Sequence, residues 1–407
     1  MEETNIRRDP VLGELARVLR GNIRQYTMIA ALLAIWIIFT GTTGGIFITP
    51  RNLSILFVQM CTTGILTGGM LLVMVSGNID LAAGSVCGTL GALAAYIMTR
   101  VELFKNLGFN PFVEILIAIV ITVIAGMLVG AWHGYWVAFR GVPAFIVTLA
   151  SQIAFRGFTL LITNGATIGE FDPLFKAIGQ NYIPDPLNGS NIHLLTALIF
   201  VAAIALFVFS EFRTRSKRIK NGFTVLSLPL HVVKIFLIVV AIGAAAYVFS
   251  AYKGLPYAII LLLVIVSLSH IITTRTSFGR HVYAIGGNAE AAKLSGVNTK
   301  KALLKVFIIM GAMCGVASIV YTSRLNAATT AAGANFELDA IAACIIGGTS
   351  TSGGTGTAIG AIIGALVMAS LDNGMSLMNL PIMIQYIVKG AILLLAVWVD
   401  MATKNKK

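Results

Sequence analysis

Apolar runs separated by short polar segments recur along this chain of 407 residues. A membrane-spanning helix needs about 20 predominantly apolar residues. Runs of that order occupy residues 27–48, 55–75, 81–98, 112–139, 143–161, 194–209, 232–249, 257–272, 306–321, 357–370 and 382–398. They predict an all-α, polytopic integral membrane helix bundle with about 10–12 transmembrane or half-membrane helices. No stretch is left over for a separate soluble domain. The expected layout is a polar segment at 1–26, a membrane domain at 27–400 and a basic tail at 401–407.

Two polar breaks disturb the pattern. Ser76-Gly77-Asn78-Ile79-Asp80 interrupts one, and the glycine-rich run at residues 347–356 interrupts the other. The last quarter does not count evenly. One crossing between 336 and 374, followed by the span at 382–398, would leave the Lys-rich tail on the wrong side. The run at 340–346 is too short to span, so part of this region is expected to be half a helix. Broken helices at membrane depth are tolerated only where protein or a water-filled cavity satisfies the backbone. Both breaks therefore suggest a translocation pathway. Each is followed by a Gly/Ala-rich helix, at 82–95 and 356–369, which is compatible with a loose internal repeat.

Composition sharpens the class. The chain is 57% hydrophobic and 11% charged, and its mean hydropathy of +0.90 excludes a water-soluble core. The net charge of +13 does not form an aromatic-interleaved patch of the nucleic-acid-binding kind. It follows topology instead. Arg7, Arg8, Arg17, Arg20, Arg24, Arg140, the cluster at 213–220, Arg275, Arg280, Lys293, Lys300, Lys301, Lys305, Lys404, Lys406 and Lys407 fall on one predicted side. Arg51, Arg100, Lys105, Lys176, Lys253 and Arg324 fall on the other. By the positive-inside rule both termini are expected in the cytoplasm. The opening residues show no small-residue cleavage site after a short apolar stretch, so the first span is expected to be retained.

Between two apolar runs lies a polar loop at 274–305. Its segment AIGGNAEAAKLSGV (284–297) reads as a docking element. Asn288 can cap a helix of about two turns over 289–294, which Ser295-Gly296 would end. On the opposite side the long loop at 163–191 is faintly acidic, with Glu170, Asp172 and Asp185 against Lys176. It has the composition of a surface available to a soluble partner.

Chemistry is sparse. Cys61, Cys87, Cys314 and Cys344 are scattered through apolar runs without CxxC spacing, and read as small packing residues. The glycine-rich run lacks GxxxxGK[ST] and any lysine, so it is not a phosphate loop. Its GAIIG (360–364) reads as close helix packing. His133, His193, His231, His270 and His281 have no sequence neighbour that makes a catalytic pair, and read as interfacial. Asp80 is read two ways, lining a polar pathway or capping the helix that follows it. Asp339 and the pair Asp372-Asn373, at the ends of expected half-helices, pose the same choice. Arg156 and Lys389 lie inside apolar runs, either paired within the bundle or snorkelling. Ion coupling would place several acids inside spans, whereas most of the 16 acidic residues fall in loops or at helix ends. The energy source is therefore expected on another subunit.

GGNAEAAKLSGV (286–297), preceded by TRTSFGRHVYAIGG (274–287), resembles the cytoplasmic coupling loop of sugar permeases in bacterial ATP-binding-cassette importers, in the ribose, xylose and galactose branch. VSGNIDLAAGSV (75–86), VPAFIVTLA (142–150), FELDAIAACIIGGTS (336–350), ASLDNGMS (369–376) and QYIVKGAILLLAVWVDMATK (385–404) resemble further signatures of that family. Together they cover the chain from about residue 30 onward. The likeness leans to the xylose members, then to those for multiple monosaccharides. Ala82-Ala83-Gly84 stands where the family often has Ser-Val-Gly, which weakens any claim that a hydroxyl there touches sugar.

The resemblance implies a multi-pass permease of the bacterial inner membrane, paired with a second copy of itself. Its other implied partners are a cytoplasmic tandem-cassette ATPase, which would hold the ATP and Mg, and an extracytoplasmic sugar-binding protein. No catalytic residue, cofactor, metal or nucleic acid is expected for this chain. Gly287, Asn288, Ala289, Glu290, Ala291, Ala292, Lys293, Leu294, Ser295 and Gly296 would couple it to the ATPase. A neutral sugar needs only a polar-lined path, for which Gln59, Asn78, Asp80, Gln152 and Asn373 are the candidates. The alternatives are an ion-coupled secondary sugar transporter, with sites at broken helices, and a membrane scaffold or receptor without transport.

Overall fold

The computed structural model describes residues 23–100, 110–187 and 192–404. The expected polar segment, apart from residues 23–26, and the last lysines of the tail lie outside the described residues. The described helices are α1 (Ile23–Thr42), α2 (Pro50–Val75), α3 (Ala83–Arg100), α4 (Pro111–Ala138), α5 (Ala144–Thr163), α6 (Pro173–Gln180), α7 (Leu194–Lys220) and α8 (Leu228–Ser250). They continue as α9 (Tyr257–Arg275), α10 (Ser277–Gly287), α11 (Ala289–Leu294), α12 (Thr299–Leu325), α13 (Phe336–Ile346), α14 (Ala358–Leu377) and α15 (Ile382–Lys404). Among them eight are long and apolar enough to cross a membrane, and three shorter apolar helices are α1, α3 and α15 over most of their lengths. With the 11-residue α13 they make up the expected all-α bundle.

Local chemistry sets the helix starts. Thr49 accepts from Asn52 N and Pro50 occupies the first turn of α2. Asn110 with Pro111 does the same for α4, and Asp172 with Pro173 for α6. Each cap occupies a backbone N–H that the helix itself leaves unpaired. Asn164 and Asn326 end α5 and α12 in the left-handed conformation, which asparagine tolerates better than most residues.

The buried centre is α2, packed against α12, α14 and α13. Leu56, Ile65, Leu66, Met70, Leu71, Leu72 and Met74 of α2 meet Phe307 and Met310 of α12 and Met368 of α14 in this core. By contrast α7 and α8 pack chiefly on each other and expose most of their apolar surface. In a membrane that surface meets lipid tails and needs no further cover.

Contacts fix the direction of each crossing. Asn52 bonds Asn373 and Gln180 bonds the carbonyl of Arg324, so the start of α2 and the ends of α12 and α14 share one end of the bundle. Val75, Gly286 and Gly354 meet at the other, with Asp400 of α15 beside Thr351. This second end carries Arg280, Lys300 and Lys301 and is called the basic end below.

The uneven count in the last quarter resolves here. After α12, residues 326–335 return without helix, paired briefly as β2 (Ala327–Ala328) with β1 (Ile168–Gly169) in antiparallel register. The half-helix α13 then completes the crossing to the basic end. Residues 76–82 are the counterpart, since they leave the basic end of α2 without helix and rise until α3 starts. Ala83 O lies 3.5 Å from Cys314 Sγ, near the middle of α12. All four cysteines are buried thiols.

Small residues set the closest approaches. A Cβ on Gly360 would lie 2.1 Å from Gly347 O, and one on Gly364 1.9 Å from Ala343 O, so the GAIIG segment serves close packing of α13 on α14. A larger instance had no reading in the sequence. Gly126, Gly130 and Gly134 line the face of α4 against Gly311, Phe307 and Leu304 of α12.

Gly130→Ala would place a methyl group 2.1 Å from Phe307 O. It is expected to cost at least the ~1–3 kcal/mol of overpacking, read as a lower thermal midpoint in mild detergent. Gly157, in the interior of α5, has nothing within 4 Å of an added Cβ. There the same change should gain roughly 0.5–1 kcal/mol of helix preference.

Candidate functional site

The docking segment has the local geometry that its residues predict. Asn288 Oδ1 accepts from Ala291 N at 2.9 Å, and the N–H groups of Ser295 and Gly296 close the helix onto the carbonyls of Ala291 and Lys293 at 3.0 Å each. Gly296 then turns at φ 85°, a left-handed conformation that glycine adopts without strain. Ala292 faces inward against Ile285 and Ala302. Gly287, Asn288, Ala289, Glu290, Ala291, Lys293, Leu294, Ser295 and Gly296 are exposed. Leu294 is 89% exposed, an apolar side chain held at the tip of a capped turn.

What holds this segment is α10. Its Gly279, Val282 and Ile285 face the bundle, and at Gly286 the approach becomes main chain to main chain. A Cβ there would lie 1.7 Å from Val75 O and 2.6 Å from Gly354 N. Gly354 N itself donates to Val75 O at 2.9 Å. Tyr283 donates its hydroxyl to Gly356 O at 2.6 Å, and burial pushes its phenol above the ordinary range, which keeps the donor proton in place. The two polar breaks are therefore one contact in space. The end of α2, the glycine-rich turn at 347–356 and the exit of α10 form a single pad beneath α11.

A second polar cluster lies where the two non-helical segments meet. Asp80 accepts from Ala82 N at 2.9 Å, one residue ahead of the helix start at Ala83, and is 3% exposed, so it closes the turn into α3 inside the bundle and not at a membrane face. Glu337 is in the first turn of α13, 2% exposed. Its Oε1 accepts from Gln152 Nε2 at 2.8 Å, and its Oε2 has no partner among the described residues. Arg156 Nη1 donates to Ala332 O at 3.0 Å, which settles it as a residue of the bundle. Gly84 admits this arrangement, because a Cβ there would lie 2.0 Å from Glu337 Oε2 and 2.4 Å from Gly333 O. Both acids sit at helix N-termini, where the peptide dipoles favour negative charge.

Several expectations are corrected here. Of the acids that the sequence places at helix ends, Asp80 and Asp339 are buried within the bundle, because α3 and α13 begin inside it, while Asp372 is half-buried. His133 is no interfacial residue, being 2% exposed with Nδ1 3.9 Å from Asp80 Oδ2. His193 Nδ1 likewise lies 4.0 Å from Asp185 Oδ2. Asp339 and Asp372 cap nothing. Lys389 Nζ sits between them, 2.9 Å from Asp339 Oδ2 and 2.8 Å from Asp372 Oδ1, joining α13, α14 and α15. Asp372 and Asn373 lie within α14, which continues to Leu377.

The five pathway candidates do not form one site. Gln59 and Asn373 lie together toward the end away from the basic face, where Asn373 donates to Gln59 Oε1 at 3.3 Å and accepts from Asn52 at 2.8 Å. Gln152 belongs to the Glu337 cluster and Asp80 to the start of α3. Among the described residues the Asn78 side chain bonds locally, to Ser76 O at 3.3 Å and Ser76 Oγ at 3.0 Å. Glu337 was missed by sequence reasoning, although its place four residues after Gly333 in a polar, small-residue stretch was the available signal.

Comparison with known proteins bears on this geometry. Residues 52–397 match the family described as branched-chain amino acid transport system / permease component. The xylose transport system permease protein XylH of Escherichia coli K12 is 43% identical over 397 residues, 98% of this chain and 96% of the relative. The XylH of Haemophilus influenzae is 41% identical over 387 residues, 95% and 98% of the two chains. The ribose import permease protein RbsC of Escherichia coli K12 is 31% identical over 386 residues, 95% and 94%. No solved structure matches.

Removing the lysine from the buried trio tests its weight. Lys389→Met leaves the buried Asp339 carboxylate and the half-buried Asp372, whose side chain is 37% exposed, uncompensated, and is expected to cost about 3 kcal/mol, the low end for a broken buried pair, seen as a fall in thermal midpoint and folded yield. Adding Asp339→Asn and Asp372→Asn removes the stranded charges and should recover most of the loss.

Proposed function

The chain belongs to the permease-component family of branched-chain amino acid transport systems, and on that premise we propose that it is the membrane permease of an ATP-driven importer for a monosaccharide. D-xylose is the first sugar to test, since the xylose permeases are similar to it over nearly the whole chain. In this reading it is a multi-pass protein of the bacterial inner membrane with its basic end in the cytoplasm. It performs no bond-making chemistry. ATP and Mg are bound and used by a separate tandem-cassette ATPase, sugar arrives on an extracytoplasmic binding protein, and a second copy of the chain completes the conduit.

The observation that carries the reading is the presentation of α11. A helix capped at both ends projects Leu294 away from the bundle, and α10 ties its base to the end of α2 and to the glycine-rich turn. A short rigid helix of this kind can insert into a groove on a partner. Movement of that partner would then act on α2 through main-chain contacts, with α12 receiving the same displacement from the other side of the loop. Gln152 with the Glu337 cluster, Asp80 and Asn78, and Gln59 with Asn373 would be successive polar stations for a neutral sugar.

The test is association and uptake together. Leu294→Asp with Glu290→Arg should weaken co-purification of the ATPase by at least about 2 kcal/mol, as for a central interface contact, and abolish ATP-dependent xylose uptake into vesicles. Gly286→Ala should uncouple hydrolysis from uptake, while Gly243→Ala, in α8 away from the loop and with nothing within 4 Å of the added Cβ, should leave both intact. Unchanged uptake in the Leu294/Glu290 variant would remove the docking role. Uptake that stops with a protonophore while ATP is maintained would instead make the protein an ion-coupled carrier.

A further inference from the structure

The helical hairpin α7–α8 meets the core through Phe200, Val248 and Phe249, all remote from its basic end, and that basic end has a surface that the transport reading leaves unused. Beyond Glu211, which pairs with Lys234 at 3.0 Å, α7 continues with Phe212-Arg213-Thr214-Arg215-Ser216-Lys217-Arg218-Ile219-Lys220. Arg213, Lys217, Arg218 and Lys220 are exposed, and among the described residues none of them is in an ion pair. Arg213, Lys217 and Lys220, at i, i+4 and i+7, share one face of the helix. Like charges at that spacing repel each other, so the face calls for anions from outside the chain.

Its other feature names their source. Phe212, Ile219, Phe223 and Leu228 are large apolar side chains at the same end of the hairpin, 42%, 54%, 65% and 56% exposed. The turn that carries them is ordered, because Arg215 donates to Leu226 O and the N–H groups of Asn221 and Gly222 bond the carbonyls of Lys217 and Ile219. Phe223 and its neighbours are therefore held outward beside the basic face. A purely solvated loop gains nothing from such side chains. Interleaved basic and apolar groups at the end of a membrane helix match the boundary between acyl chains and anionic headgroups.

We propose that the basic end of the α7–α8 hairpin is a binding site for anionic phospholipid headgroups. Arg213, Lys217, Arg218 and Lys220 bind headgroup phosphate while Phe212, Ile219, Phe223 and Leu228 enter the acyl boundary. The basic end of the hairpin is thereby held by the membrane itself.

The experiment compares the full-length chain in nanodiscs of phosphatidylcholine alone and of phosphatidylcholine mixed with phosphatidylglycerol. Lipid retained after detergent extraction and the thermal midpoint are both read, at low and high salt. The wild type should retain phosphatidylglycerol preferentially and melt higher in its presence, with both effects reduced by salt. The variant Arg213→Gln/Lys217→Gln/Arg218→Gln/Lys220→Gln should lose them, retention falling by up to about fivefold per residue, while its midpoint in phosphatidylcholine stays at the wild-type value. A variant that retains phosphatidylglycerol as the wild type does would overturn the proposal. So would one that keeps the lipid response and loses its ATPase instead, which would make the patch a protein-docking surface.

Discussion

The carbonyl of Val75 is the point on which this architecture depends. It ends α2, the most buried helix, at a place where the helix can no longer supply a partner for it. Gly354 N provides that partner, and Gly286 provides the space. One unpaired acceptor thus fixes three segments far apart in sequence, namely the end of the central helix, the turn before α14 and the exit of α10. Burying a carbonyl unpaired costs free energy comparable to a lost hydrogen bond, and the penalty is greatest where water is scarce. The contact is accordingly rigid, and it links the exposed α11 to the core without a flexible joint.

The same constraint explains the two non-helical segments. Residues 76–82 and 326–335 approach the bundle interior from opposite ends, and each is surrounded by other helices. Their meeting lets α3 and α13 begin inside the protein, so that the positive ends of two helix dipoles lie among apolar side chains. Acids placed there are stabilised by those dipoles and by specific donors. Asp80 has Ala82 N, and Glu337 has Gln152. Asp339 is held by a lysine shared with Asp372. The positions of Asp80 and Glu337 in the interior are therefore a consequence of where these two helices start.

The sequence makes the architecture legible where one-dimensional signals suffice. Apolar runs locate the spans, and the parity of the last quarter requires a half-helix before any contact is known. Asn288 and Ser295-Gly296 delimit α11 because capping is local. Depth and pairing are not local. Hydropathy does not distinguish a polar residue at a membrane face from one at a helix that starts in mid-bundle, so His133 reads as interfacial and Asp339 as either a pathway residue or a cap. Lys389 with Asp339, and Gln152 with Glu337, are joined across 50 and 185 positions of sequence. The separation of Gln59 and Asn373 from Gln152 rests on the crossing directions of α2, α5 and α14.

Helices that touch at main-chain atoms differ from helices that touch through side chains in how they can change over time. A side chain that grows too large can be accommodated when its neighbour shrinks, so ordinary cores drift by paired compensation. Gly126 against Gly311, and Gly286 against Val75 O, leave nothing on either side that could shrink. Substitution at such a position has no second-site repair, and the helix pair remembers its partner through the absence of atoms. Sequence change is therefore expected to be tolerated better on surfaces such as α7 and α8, whose neighbours are fluid lipid. The inner framework can stay fixed while the outer helices adapt to whatever membrane the protein inhabits.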